Sequence, residues 1–77
     1  MKEVVIYSTP TCHFCHMAKD YFNDKGVKYT DYNVMEDLEK RQEMVQKSGQ
    51  MGVPVIVIGN EIIIGFDQPR INLLLGL

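Results

Sequence analysis

Apolar positions along the chain switch between short continuous runs and helically spaced sets. The run Val4-Val5-Ile6-Tyr7 predicts a central strand over residues 3–7 that is covered on both faces. From residue 12 to about residue 25 the apolar side chains recur at helical spacing, which predicts a first helix with a wide buried face. Thr11 is the expected N-cap of this helix, and Gly26 is expected to end it.

The middle of the chain is more polar. Residues 27–34 predict a second strand near a sheet edge, because polar residues interrupt its apolar pattern. Residues 36–48 predict a charged helix that ends at Gly49 and places Leu38 and Val45 on its buried stripe. We expect three acid–base pairs at i,i+4 spacing to support this helix: Glu36–Lys40, Asp37–Arg41 and Glu43–Lys47.

The last third of the chain predicts two short strands and a helix. Residues 55–58 and 62–64 are β-branched runs joined through Gly59-Asn60, which is a hairpin signal. Asp67 is the expected N-cap of a helix to about residue 75, with Pro69 in its first turn. The order β-α-β-α-β-β-α combines a right-handed parallel unit with a hairpin and a helix. We therefore expect an α/β, thioredoxin-like arrangement, in which three helices flank a four-stranded mixed sheet as one domain over residues 1–77.

Composition and charge exclude several classes of protein. The chain has 77 residues, of which 45% are hydrophobic and 23% charged, as in an ordinary globular domain. A net charge of −2 without a basic cluster argues against nucleic-acid binding. The sequence has neither an apolar stretch of roughly 20 residues, which a bilayer span needs, nor a signal-peptide core. We expect a cytoplasmic monomer with no membrane partner.

The chain contains two cysteines, Cys12 and Cys15, which are separated by two residues. A bridge between them closes such a small loop that it would stabilise the fold by only about 2 kcal/mol. A structural staple is therefore a poor explanation for the pair, and thiol chemistry is a better one.

The pair lies where the first predicted strand passes into the first predicted helix. At a helix N-terminus, Cys12 meets unpaired backbone N–H groups and the positive end of the helix dipole, and both favour the thiolate. Cys15 lies one turn further along, where we expect it to be less exposed. This arrangement predicts thiol–disulfide exchange: Cys12 attacks a disulfide, and Cys15 then displaces the product from the mixed disulfide.

Three neighbours of the cysteines each have two interpretations. A protonated His13 would favour the thiolate of Cys12, or it is an ordinary, partly exposed histidine. Phe14 offers an apolar surface to a partner, or it packs as core. Lys19 helps to ionise Cys15, or, as we expect, it is a solvated helix lysine.

Val53-Pro54 is the second candidate feature of the site. A cis X-Pro bond is a constrained feature of tight turns, and this one precedes a predicted strand. In the expected fold the turn faces the cysteine pair. Val53 would then present its backbone to an incoming extended peptide or to glutathione.

These motifs together resemble the glutaredoxin family over essentially the whole chain. The similarity consists of the strand–Cys-x-x-Cys–helix start, Ala18-Lys19, Val53-Pro54 and the turn Gly65-Phe66-Asp67 into the last helix. The resemblance implies a disulfide oxidoreductase without a tightly bound cofactor. It implies that Cys12 is the nucleophile, Cys15 the resolving thiol and Pro54 a cis proline. The residues that it places in contact with substrate are Thr11, His13, Phe14, Val53, Pro54, Gly65, Phe66 and Asp67.

The sequence departs from the usual glutaredoxin pattern in ways that bear on its reductant. His13-Phe14 replaces the common Pro-Tyr, and Thr9 stands where a lysine usually pairs with a glutathione carboxylate. Gly65-Phe66 replaces a Gly-Gly turn and is more similar to the NrdH-type small redoxins. The expected substrates are disulfide-containing proteins or glutathione mixed disulfides, and the expected electron donor is glutathione or thioredoxin reductase.

Two other classes of site fit part of the pattern. Cys12-His13-Phe14-Cys15-His16 matches the haem attachment motif C-x-x-C-H, although a cytochrome of that type would be mainly helical. A metal or iron–sulfur module would use Cys12, with Cys15 and His16 as further ligands, although zinc prefers four ligands and the chain has no second cluster.

Overall fold

A computed structural model describes residues 2–77 and confirms the predicted order of elements. The elements are β1 (Val4–Ser8), α1 (His13–Asp24), β2 (Thr30–Asn33), α2 (Leu38–Ser48), β3 (Val55–Ile58), β4 (Glu61–Ile64) and α3 (Gln68–Leu75). In residues 2–77 there is no helix with both the length and the apolar character that crossing a membrane requires.

The four strands form one mixed sheet in the order β2-β1-β3-β4. Strand β1 pairs in parallel with β2, where Val5 lies opposite Thr30, and antiparallel with β3, where Val5 lies opposite Val57. Strands β3 and β4 form the predicted antiparallel hairpin, and Gly59 supplies the positive φ of its turn. The predicted thioredoxin-like fold is therefore confirmed, with β2 at an edge of the sheet and β1 at its centre.

Apolar side chains fill both faces of the sheet, because alternate residues of β1 and β3 point in opposite directions. One cluster includes residues of α1 and α3: Val4, Ile6, Ala18, Phe22, Ile56, Ile58, Ile63 and Ile71. The other includes Met44 of α2: Tyr7, Val34, Met44, Val55 and Val57. Because helices cover both faces, β1 and β3 need the continuous apolar runs that identified them in the sequence.

Helix α2 differs from the prediction in its orientation. Leu38, predicted to be buried, is 65% exposed, whereas Val45 packs against the second cluster as predicted. The fully buried residue of this helix is Met44. Of the three predicted ion pairs, only Glu43–Lys47 is present in residues 2–77, at 3.5 Å. Lys40 pairs instead with Glu43 at 3.0 Å. Contacts with the sheet, rather than charge spacing along the helix, thus set its rotation.

Two smaller predictions about element ends are also corrected. Strand β2 is shorter than residues 27–34, and Val27 and Tyr29 instead pack from the preceding loop against the cluster under α1. The N-cap of α1 is Cys12 rather than Thr11. This second correction concerns the candidate site directly, because it places a thiol at the helix start.

Candidate active site

Cys12 occupies the N-cap of α1 with extended backbone angles (φ −87°, ψ 114°). Its Sγ accepts a hydrogen bond from the backbone N–H of Cys15 at 3.2 Å, and its own N–H donates to the Thr9 carbonyl at 3.4 Å. The Cys12 side chain is partly exposed. A sulfur in this position meets a helix N–H donor and the positive end of the helix dipole, so negative charge on it is stabilised.

The turn before β3 lies against Cys12. The Cys12 thiol donates to the Val53 carbonyl oxygen, with an S···O distance of 3.8 Å. The Val53–Pro54 peptide bond is cis, as expected from the sequence, and Pro54 is buried. The Pro54 carbonyl accepts a hydrogen bond from the Gly65 N–H at 2.8 Å. The structure therefore brings the Cys-x-x-Cys segment, Val53-Pro54 and the start of the Gly65 turn together.

Cys15 lies in a very different environment from Cys12. It is fully buried beneath the start of α1, whereas Cys12 reaches solvent. Burial, followed by the side-chain hydrogen bond with Cys12, raises the pKa of the Cys15 thiol well above its usual range. A backbone hydrogen bond from Thr9 and the charge of Lys19 oppose this rise. Cys15 is therefore held as a neutral thiol behind the accessible Cys12.

The residues between and before the cysteines form an exposed rim. Thr11 and His13 are exposed, and Phe14 is 58% exposed, so the alternative that Phe14 packs as core is wrong. The His13 and Phe14 rings meet edge-on, with centroids 5.7 Å apart. This rim gives the surface beside Cys12 one large apolar side chain and one titratable ring.

One of the two ring nitrogens of His16 is occupied by a hydrogen bond to the backbone. Its Nε2 lies 2.8 Å from the Pro10 carbonyl oxygen, which requires that this nitrogen carry the proton and donate. Within residues 2–77 no group of three potential His, Cys, Asp or Glu ligands lies close enough together to hold a metal ion. The geometry thus does not favour the metal-module alternative. The four-stranded sheet also disagrees with the mainly helical fold that a C-x-x-C-H haem protein would need.

In the turn before α3, Phe66 packs against α1 and Asp67 caps α3. Gly65 has φ +83°, a conformation that favours glycine. Phe66 is half-buried and packs edge-on against Tyr21 of α1, with centroids 5.7 Å apart. The Asp67 side chain accepts the Arg70 N–H at 3.3 Å and so caps α3 as predicted. Because the Asp67 carboxylate already occupies the positive end of the α3 dipole, binding of a second anion is disfavoured there.

A small cavity of about 210 Å³ lies beside Thr9 and Val53, and no pattern in the sequence predicted it. Its other lining residues are Val34, Met35, Arg41, Met44 and Met51. Arg41 was predicted to pair with Asp37, a pair that is absent from the ion pairs of residues 2–77. The methionines come from three separate segments, so no local spacing in the sequence indicated that they meet.

Several known proteins are similar to this chain in sequence and in fold. The glutaredoxin family model matches residues 4–63. An uncharacterized glutaredoxin-like 8.6 kDa protein in the rubredoxin operon of Clostridium pasteurianum is 44% identical over 72 residues, which cover 94% of this chain and 96% of that protein. Glutaredoxin 3 of Escherichia coli K12 is 39% identical over 68 residues, covering 88% and 82%. The solved structure of E. coli NrdH-redoxin, described as glutaredoxin-like with a thioredoxin-like activity profile, superposes with a TM-score of 0.82 at 28% identity, covering 94% and 93%.

Proposed function

The chain belongs to the glutaredoxin family of thiol–disulfide oxidoreductases, and from that premise we propose that it reduces protein disulfides by dithiol exchange at Cys12 and Cys15. One observation carries the proposal. Cys12 lies accessible at the N-cap of α1 with its Sγ hydrogen-bonded to a helix N–H, while Cys15 is fully buried one turn behind it. Glutathione mixed disulfides are substrates of the same chemistry.

The first step of the proposed reaction belongs to Cys12. After the thiol loses its proton to water, the thiolate attacks one sulfur of a substrate disulfide. A bond forms between Cys12 Sγ and that sulfur, the substrate S–S bond breaks, and the departing sulfur leaves as a thiolate that takes up a proton. The Cys15 N–H at 3.2 Å stabilises the negative charge on Cys12 before the attack.

The second step belongs to Cys15. Its thiol loses a proton, attacks Cys12 Sγ and releases the remaining substrate thiolate, which leaves a Cys12–Cys15 disulfide. The substrate has then gained two electrons and the two cysteines have lost two. Burial keeps Cys15 neutral until the mixed disulfide places an electrophilic sulfur beside it, so the two steps occur in a fixed order.

Substrate recognition in this proposal uses the surface around Cys12. The Val53 carbonyl accepts a hydrogen bond from the Cys12 thiol, so the Val53 backbone lies next to the nucleophile. An extended substrate segment that binds along this backbone would therefore place its sulfur at Cys12. The exposed Phe14 ring supplies apolar contact area on the other side of Cys12. We propose that further contributions to this surface come from Thr11, His13, Gly65, Phe66 and Asp67. In the structure Phe66 turns its ring toward Tyr21, so its proposed contribution is to shape the turn.

The electron donor that we propose is thioredoxin reductase rather than glutathione. This chain has Thr9 at the position where glutaredoxins usually have a lysine that pairs with a glutathione carboxylate. The Asp67 carboxylate caps α3 and so disfavours a second anion at that turn. The NrdH-redoxin of E. coli, which shares this fold at 28% identity, is described as having a thioredoxin-like activity profile. These observations favour direct transfer from a protein donor to the Cys12–Cys15 disulfide.

A coupled assay tests this proposal. Insulin serves as the disulfide substrate, and NADPH consumption is followed with either thioredoxin reductase or glutathione plus glutathione reductase. We expect turnover with thioredoxin reductase to be at least about tenfold faster, because a missing charge partner costs on the order of 1–2 kcal/mol of glutathione recognition. Equal or faster turnover with glutathione would overturn the assignment of the donor. The absence of turnover with thioredoxin reductase would overturn it as well.

A pair of variants makes the same test sharper. Thr9→Lys restores the cation usual in the family and should raise the glutathione-supported rate several-fold. Thr9→Gln has a long side chain without charge and should leave that rate unchanged. If both variants raise it equally, then charge at position 9 does not determine the donor.

The wider biological setting also belongs to the proposal. We propose that residues 1–77 act as a single domain, which is supported by the 96% coverage of the C. pasteurianum relative. The protein would act as a monomer in the cytoplasm, where thiols are kept reduced. It would have neither nucleic-acid nor membrane partners. No tightly bound cofactor is needed for the exchange, because both electrons pass through sulfur.

A further inference from the structure

Lys19 of α1 is held in a defined position rather than extended into solvent. Its Nζ donates to Asp31 Oδ2 of β2 at 3.1 Å, and its side chain is only 20% exposed. The other oxygen of the same carboxylate, Asp31 Oδ1, accepts the Ser8 hydroxyl at 2.5 Å. Ser8 is buried at the end of β1, four residues before Cys12. The expectation that Lys19 is a solvated helix lysine is therefore wrong.

The position of Lys19 on α1 places its ammonium group on the same face of the helix as Cys15. The two residues are four apart on one helix, so they share a face one turn apart. Helical side chains lean toward the N-terminus, which directs Lys19 back toward Cys15 rather than away from it. The charge of Lys19 acts on the Cys15 thiol in the direction that favours its thiolate.

We propose that Lys19, oriented by Asp31 and Ser8, is a positioning residue for the second half of the exchange, in which its ammonium group stabilises the thiolate of Cys15 as it attacks Cys12. The inference rests on the proposed roles of the two cysteines. Lys19 keeps its protons throughout, and the proton of Cys15 leaves to water. The bonds that form and break are those of the second step above.

The other groups around Cys15 explain why a fixed cation is useful there. Burial opposes ionisation of Cys15 in both steps, and Cys12, from the same helix start, opposes it until its sulfur is bonded in the mixed disulfide. The Thr9 backbone, from the loop after β1, favours ionisation together with Lys19. Asp31, from β2, holds Lys19 and has both carboxylate oxygens hydrogen-bonded, one to Lys19 and one to Ser8. Lys19 is thus the charged side chain that lowers the barrier for an otherwise disfavoured thiolate.

Reaction with Ellman's reagent separates the two steps by absorbance. Attack by Cys12 releases the first nitrothiobenzoate, and attack by Cys15 on the resulting mixed disulfide releases the second. We expect Lys19→Met to leave the first phase unchanged and to slow the second about threefold at neutral pH. Loss of the charge makes the thiolate fraction of Cys15 smaller, and the greater nucleophilicity of a more basic thiolate partly offsets this loss. The pH profile of the second phase should move to higher pH.

Matched variants distinguish a charge effect from a structural one. Lys19→Arg should keep the second-phase rate, because it keeps the charge beside Asp31, and Lys28→Met should alter neither phase, because Lys28 is exposed on the loop before β2. An unchanged second phase and pH profile in Lys19→Met would overturn the inference, and so would equal slowing of both phases.

Failure of the proposed function would look different in the same assay. A normal first phase in Cys12→Ser, or a normal second phase in Cys15→Ser, would remove the assigned roles of the cysteines themselves. If those two variants behave as assigned and Lys19→Met matches the wild type, only the role of Lys19 is lost.

Discussion

At the scale of single residues, the main result is that two cysteines of the same motif have unequal environments. Cys12 caps a helix and reaches solvent, whereas Cys15 is fully buried with a raised thiol pKa. The position of Cys15 one turn further along the helix predicted that it is the less exposed of the two, and the structure confirms this. Packing of α1 on the sheet leaves Cys12 accessible, as the proposed nucleophile must be, and buries Cys15.

Limited alkylation of the reduced, folded protein tests this inequality. With substoichiometric iodoacetamide at neutral pH, we expect peptide mass spectrometry to find the label almost entirely on Cys12, because Cys15 is buried and held as a thiol. Unfolding in denaturant serves as the control and should make labelling of the two cysteines comparable. Equal labelling in the folded protein would show that the two environments are not distinct.

At the scale of elements, a charged cluster connects α2 to β1, the strand that leads into the candidate active site. The buried Tyr7 donates its hydroxyl to Glu43 Oε1 at 2.7 Å, and Glu43 also pairs with Lys40 and Lys47. Lys40 in turn lies over the Tyr32 ring, 4.3 Å from its centroid. The hydrogen bonds from Tyr7 and Lys40 lower the pKa of Glu43 from 4.5 to about 2. Burial, together with the hydrogen bond to Glu43, raises the pKa of Tyr7 above its usual range.

The lowered pKa of Glu43 makes part of the stability depend on pH. The folded protein favours the ionised carboxylate, so this contribution is fully present above about pH 4.5 and is lost as the pH falls toward 2. We expect Glu43→Gln to lower the free energy of unfolding by about 1 kcal/mol at neutral pH, a small value because solvent screens the half-exposed carboxylate. Denaturant titrations should show that the difference from the wild type shrinks to near zero at about pH 2.

A neighbouring glutamate provides the control for this measurement. Glu39→Gln removes the same charge from the exposed first turn of α2 and should change stability only slightly at any pH. A Glu43→Gln effect that is constant with pH, or no larger than that of Glu39→Gln, would contradict the assigned role of the cluster.

At the scale of the whole molecule, the fold was predictable because its signals are local. The continuous apolar runs of β1 and β3 reflect a sheet covered on both faces, and Gly49 and Asp67 mark helix ends through their own backbone or side-chain geometry. Cys12 and Cys15 were identifiable for the same reason, since the spacing of the motif and its place before a helix are both visible in the sequence.

The features that the sequence did not reveal depend on contacts between distant segments. The rotation of α2, which exposes Leu38 and buries Met44, is set by packing on the sheet, and that packing overrides a weak apolar stripe. The partner of Lys19 lies 12 residues away on another element. That the sulfur of Cys12 caps α1, and not the side chain of Thr11, likewise depends on how the chain passes from β1 into α1.

Trapping of the mixed disulfide tests the central claim most directly. When each cysteine variant is mixed with a disulfide-containing protein such as oxidised insulin, we predict that Cys15→Ser accumulates a covalent adduct through Cys12. Non-reducing mass spectrometry would detect this adduct, and added dithiothreitol would release it. Cys12→Ser should form no adduct and should lose dithiol-dependent reductase activity. Retention of that activity in Cys12→Ser would contradict the account.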